Sequence, residues 1–315
     1  MPAYCNTRGS RTLGLLLIFL WIAGPLQGQV RAAVYSAELD VNLFGYLNQN
    51  DIPIIGSFAS APAASVNAYV YLQNRYPGIY GTSLAGTTMS QWIQTAERLA
   101  QAQYMATEAN STTFIRDQIY GNTTYLNDAV PDLNRFAGQA VLSDGVDWTQ
   151  ARPQPPFIQR VFPTWQSLYF AILQQNAIVI DLYFPGTIRP THTVTGTSFH
   201  WNDIDGDGFI DLSENAEIDF IDPLDPAGPP EPPSNNRRPK RRFGRIYEEI
   251  LGVGGPFGDR RLRFSYSDSG VFLRSETDGF ITSAFYVLEP VPEPSTMVVF
   301  AIGLVALRFR SLKRS

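Results

Sequence analysis

Five carboxylates fall within twelve consecutive residues of this 315-residue chain: Asp203, Asp205, Asp207, Asp211 and Glu214. Crowded that closely they repel one another unless a cation neutralises them, and a set of oxygen donors suits a hard divalent ion. A solvated acidic turn would have no need of Gly206 in its middle together with Glu214 at its end. The spacing therefore predicts a metal loop.

The segment Asp203-Ile204-Asp205-Gly206-Asp207-Gly208-Phe209-Ile210-Asp211-Leu212-Ser213-Glu214 resembles the EF-hand loop at each constrained position. That resemblance implies Ca2+ as the cofactor. Asp203, Asp205 and Asp207 would give side-chain oxygens, Phe209 its carbonyl, Asp211 a direct or water-bridged contact, and Glu214 a bidentate closure. The residues before the loop, Thr191 to Trp201, alternate as a strand, so the usual incoming helix is missing. A calcium staple between a strand and the next segment is expected, not a paired sensor that opens on binding.

A second set of residues carries the types needed for nucleophilic catalysis. Ser60-Ala61-Pro62-Ala63-Ala64-Ser65-Val66-Asn67 opens a helical pattern, with Ser60 expected as the N-cap and Pro62 where a missing N–H costs little. Leu168 to Phe184 reads as a helix followed by a buried strand, Thr191-His192-Thr193-Val194-Thr195-Gly196 as a strand bearing His192, and Ile221-Asp222-Pro223 ends the series. In that order these motifs resemble the papain-like fold of the bacteriocin-processing, double-glycine-leader peptidase family, over about Gly56 to Pro223. The resemblance implies Ser60 at the nucleophile position, His192 as the base and Asp222 as the residue that orients it.

Two departures argue against catalysis. The family's nucleophile is a cysteine, whose thiolate is stabilised at a helix N-terminus and beside an imidazolium, whereas a serine hydroxyl needs full general-base assistance. Ile54 stands where the family places an oxyanion-stabilising Gln, with Gln49 and Asn50 close by but out of register. Ser60, His192 and Asp222 are thus expected as relic positions of a silent domain. A working Ser60–His192–Asp222 hydrolase is the competing reading, and a calcium-binding surface protein of another fold is the third. His192 could equally be a hydrogen-bonded core residue, and Asp222 an acceptor for backbone N–H groups. His200 would share a face with His192 if the strand is regular.

The elements that must position these residues read as α+β. Helices are expected from Ser60 to Tyr76, from Met89 to Glu108 and from Thr113 to Asn127, after an extended lead-in from Val34 to Phe58. Leu142 to Pro163 reads as a loop, Thr164 caps a helix running to Gln175, and Ala177 to Tyr183 is a buried strand. The Pro- and Arg-rich run 226–245 is expected as a mobile insertion. Alternation from Arg261 to Leu288 then supplies closing antiparallel strands, in a sheet filling the C-terminal half.

Both ends read as addresses around a body of about 33–290. Arg8 and Arg11 precede the apolar run Leu13 to Ala23, the pattern of a signal peptide over 1–32. At the other end Val291-Pro292-Glu293-Pro294-Ser295-Thr296 is followed by an uncharged apolar segment, 297–307, and by Arg308, Arg310, Lys313 and Arg314. This tail, 291–315, resembles the PEP-CTERM sorting signal. It implies an exosortase-type sorting enzyme as partner and an exported protein of the cell envelope or surface. At ~1.5 Å per residue the apolar segment covers roughly half of a ~30 Å hydrocarbon core, so its membrane residence is expected to be at least transient.

Of 24 basic and 29 acidic residues, Arg8, Arg11, Arg308, Arg310, Lys313, Arg314 and Glu293 lie in the leader and tail, which leaves the stretch from Gln29 to Pro290 with 18 basic against 28 acidic. A body of that sign is a poor nucleic-acid partner. The single cysteine, Cys5, sits in the leader, so the body has neither thiol nor disulfide. Core burial, supplemented by the metal, must hold it together. The expected function is a calcium-stabilised surface or matrix binding module; its extracellular ligand is not legible.

Overall fold

The computed structural model describes residues 32–53, 55–107, 113, 115–130, 142–143, 146–147, 163–184, 191–224, 241–250, 260–266 and 277–287. The leader, Ile54, the insertion up to residue 240 and the sorting tail lie outside them.

The core of the fold is a helix driven against a sheet. Helix α1 (Ser60–Arg75) has too few polar residues to keep any face in water, and every residue from Ala61 to Gln73 is buried. Around it stand the single turn α2 (Pro77–Tyr80) and two amphipathic helices, α3 (Met89–Leu99) and α4 (Ile115–Ala129). Thr88 and Gln91 close a reciprocal capping box at the start of α3. Gly45 lets the lead-in chain approach α1: a Cβ there would lie 2.8 Å from Asn67 Oδ1. The Asn67 amide meanwhile receives the Leu47 N–H at 2.8 Å and donates to the Leu47 carbonyl at 3.3 Å.

The sheet is antiparallel throughout. Its strands are β1 (Ala33–Glu38), β4 (Ala177–Tyr183), β5 (Thr191–Asp203), β6 (Ala216–Ile221), β7 (Arg241–Ile250), β8 (Arg260–Tyr266) and β9 (Thr277–Val287). They follow the order β1-β5-β4-β9-β8-β7-β6, and β6 also pairs with β5, so six strands close on themselves with β1 added outside. The length of β5 makes this possible. Its first half pairs with β4 (Thr191 to Gly196), its second half with β1 (Ser198 to Asp203), and β6 runs along its other edge. Closure leaves few unpaired strand edges. Helix α5 (Trp165–Leu173), capped by the Thr164 hydroxyl, packs Trp165 and Tyr169 against Tyr35, Phe199 and Trp201, mostly edge to face.

The architecture is α+β with its antiparallel sheet in the C-terminal half, as expected, but several local readings change. Ser60 is the first helical residue and not the cap. Ala59 holds the cap position with no side-chain bond, because the 3-10 turn Gly56–Phe58 feeds the chain straight into the helix. The lead-in contributes β1 and then three 3-10 turns. Within Leu142 to Pro163, the described residues form a two-residue pair, β2 (Leu142–Ser143) with β3 (Val146–Asp147). Arg241 to Arg245, assigned above to the insertion, begin β7. The inward places there are taken by Gly244 and Ile246, both buried, while Phe243 and Arg245 stay exposed. His200 leaves the face of His192, since a register shift between Gly196 and Ser198 inverts the alternation. Its Nδ1 instead lies 3.0 Å from Ser36 Oγ.

Candidate functional site

The acidic loop joins β5 to β6, so its two ends are fixed by neighbouring antiparallel strands. Asp203, at the end of β5, is 2% exposed, and Glu214, just before β6, is 6% exposed. Together with the exposed Asp205 they bring carboxylate oxygens within 4.8 Å of one another. Two oxygens bound to one calcium at about 2.4 Å can be no farther apart than about 4.8 Å, so the spacing fits a shared ion. Among the described residues no Lys, Arg or His forms an ion pair with Asp203, Asp205 or Glu214. Buried carboxylates without a cation are costly.

Backbone amides shape the rest of the loop. Asp203 receives the Gly206 and Gly208 N–H groups at 2.6 and 3.3 Å, and both glycines sit at φ 73°, where a side chain would be strained. Glu214 receives Ile204 N–H on Oε1 at 2.8 Å and the Trp201 indole N–H on Oε2 at 2.9 Å. Asp207 is exposed and accepts the N–H of half-buried Phe209 at 2.7 Å. Asp211 caps the 3-10 turn Leu212–Glu214 through Ser213, and the hydrogen bonds from Ser213 hold its carboxyl below the usual carboxylate range. Of the six residues predicted as ligands, three converge. Asp207, Phe209 and Asp211 line the loop beside them.

Two contacts here lacked any sequence signal. Trp165, from α5, donates its indole N–H to the Gly208 carbonyl at 3.2 Å. Glu248, from β7, brackets Ile210: its Oε2 receives the Ile210 N–H at 3.0 Å and its own N–H donates to the Ile210 carbonyl at 2.8 Å.

The second candidate set is divided. His192 and Asp222 are both buried and meet at 2.7 Å, Nε2 to Oδ1. The same oxygen receives the Leu224 N–H at 2.8 Å. Ser60 is half-buried at the mouth of α1 and has no hydrogen bond to His192 or Asp222. The fixed link between helix and strand lies one turn farther along, where Thr195 Oγ1 donates to the Ala64 carbonyl at 2.9 Å. Alternation places Thr193 and Thr195 on the face that meets α4 and α1, and His192 on the other. Gln49, out of register in the sequence, is buried beside this pair, its N–H donating to the Pro223 carbonyl at 2.8 Å. Ile54 lies outside the described residues.

Residues 290–314 match the PEP-CTERM protein-sorting motif. The motif is the recognition signal of exosortase-type sorting enzymes and marks an exported, envelope-sorted protein. No curated protein and no solved structure matches the chain. Neither comparison supports the papain-like resemblance. Among the described residues no helix is long and apolar enough to cross a membrane, and the apolar tail segment lies outside them.

Proposed function

We propose that this chain is an exported, calcium-stabilised, papain-like module without peptidase activity, which serves as a surface or matrix binding protein of the cell envelope. The observation that carries the reading is the meeting of two buried carboxylates, Asp203 and Glu214, with Asp205 in the hairpin between β5 and β6. A bound Ca2+ supplies the charge that the described residues do not, and ties the end of one barrel strand to the start of the next. Held that way, the loop works as a structural clamp.

Silence at the other set follows from chemistry. The body has no thiol, and the Ser60 hydroxyl is not hydrogen-bonded to His192. The sorting tail hands the chain to its processing enzyme, and the apolar segment 297–307 holds it in the cytoplasmic membrane while that happens.

Calorimetry with calcium and with chelator tests the reading. With calcium at about a hundred times its dissociation constant, linkage stabilises the fold by about 2.7 kcal/mol, which raises the melting temperature by roughly 5 to 10 °C. Coincident transitions overturn it.

One observation favours a hydrolase instead: the buried His192–Asp222 pair has the hydrogen bond that an oriented catalytic base requires. A fluorophosphonate that labels the unaltered chain but not Ser60→Ala establishes that reading. Absence of labelling removes it.

A further inference from the structure

We propose that Glu248, on β7, is a positioning residue for the β5–β6 loop and sets its affinity for Ca2+ by clamping the backbone at Ile210; this rests on the calcium reading above. Ile210 is fully buried at the eighth place of the loop. Both of its backbone groups are taken by one residue, the N–H by Glu248 Oε2 at 3.0 Å and the carbonyl by the Glu248 N–H at 2.8 Å. The peptide units so fixed are those that join Ile210 to Phe209, whose carbonyl is the expected ligand at the seventh place, and to Asp211, which caps the exit turn.

The clamp is tertiary. Glu248 lies 38 residues from Ile210 in the chain, and it reaches the loop because the β6–β7 ladder ends with Ala216 opposite Ile246, two residues short of Glu248. The loop's other elements are held locally: Asp203 belongs to β5 and Glu214 precedes β6. Its middle is held from outside, at Gly208 by Trp165 and at Ile210 by Glu248. A barrel strand thus does for this lone loop what ordering on ion binding would otherwise have to do. Ordering in advance lowers the entropic cost of binding, and so raises affinity.

Calcium titrations of the full chain by calorimetry, with Trp201 fluorescence as a second readout, test the proposal. Trp201 donates to Glu214 and should report the ion directly. Replacing Glu248 by Ala removes a hydrogen bond to a charged acceptor, and the dissociation constant should rise about tenfold. Glu248→Gln keeps an acceptor oxygen for the Ile210 N–H and should stay within about threefold of the unaltered chain, which separates the bond from the charge. Glu249→Ala, altering the neighbour that faces Arg263 at 3.9 Å, should leave affinity unchanged. Melting in chelator confirms that each variant is folded at the titration temperature. Unaltered affinity in Glu248→Ala overturns the proposal, as does an equal loss in the Gln and Ala variants. Failure of the unaltered chain to bind calcium sinks the calcium reading and this inference with it, an outcome distinct from both.

Discussion

His192 Nε2 stands 2.7 Å from Asp222 Oδ1, and that oxygen also receives the Leu224 N–H at 2.8 Å. One buried carboxylate therefore joins the start of β5 to the turn that leaves β6. Whatever its ancestry, the pair is a structural tie.

Truncating Asp222 tests the tie. Asp222→Ala leaves the buried His192 ring and the half-buried Leu224 N–H without their acceptor and should destabilise the fold by about 3 kcal/mol, whereas Asp222→Asn keeps an oxygen and should cost about 1 kcal/mol. Urea unfolding gives both values. Two variants within about 0.5 kcal/mol of the unaltered chain would show that neither bond matters to stability.

How far the sequence could be read depended on whether a contact was local. The run Ala177 to Tyr183, rich in branched residues, forms a strand with those bounds, and Thr164 caps the helix before it. The missing incoming helix of the acidic loop was visible in the alternation ahead of it, and β5 does run into Asp203. The inversion at Gly196/Ser198 was not, because a bulge leaves the composition unchanged and shows itself only in the partner strand's register. The basic run around Arg241 hid β7, since its charged side chains can point outward while Gly244 and Ile246 fill the interior. Glu248 and Gln49 reach their sites through pairings distant in the chain, and no local pattern announces them.

Gly244 is a second place where the barrel can be challenged. A Cβ on it would lie 2.3 Å from two ring carbons of Phe264, which is itself buried against Phe184 and Phe220. Gly244→Ala must displace that ring, at a cost of about 1–3 kcal/mol. Gly78 has nothing within 4 Å of an added Cβ, so Gly78→Ala should be neutral or stabilise by up to about 1 kcal/mol. The denaturation midpoint should fall in Gly244→Ala and hold or rise in Gly78→Ala. Equal effects would contradict the close approach at β7.

Alkaline pH should unfold this protein through its buried phenols. Burial, and then the neighbouring Tyr125, pushes the Tyr69 hydroxyl well above its ordinary value of 10.0, and burial also raises Tyr125. Their rings stack at 5.4 Å, with the Tyr69 hydroxyl donating to Asn122. In the unfolded chain both phenols ionise near 10.0; in the fold they stay protonated to higher pH. The stability they contribute is thus fully present below the unfolded value and is lost as pH rises through it toward the folded one, at up to about 1.4 kcal/mol per pH unit for each phenol. Urea midpoints measured from pH 8 to 11 should stay level and then fall in the last part of that range. Tyr69→Phe removes one ionisable group from the unfolded state and should make the fall shallower, although it lowers stability at neutral pH by losing the bond to Asn122. An identical slope in the variant would show that Tyr69 ionises alike in both states.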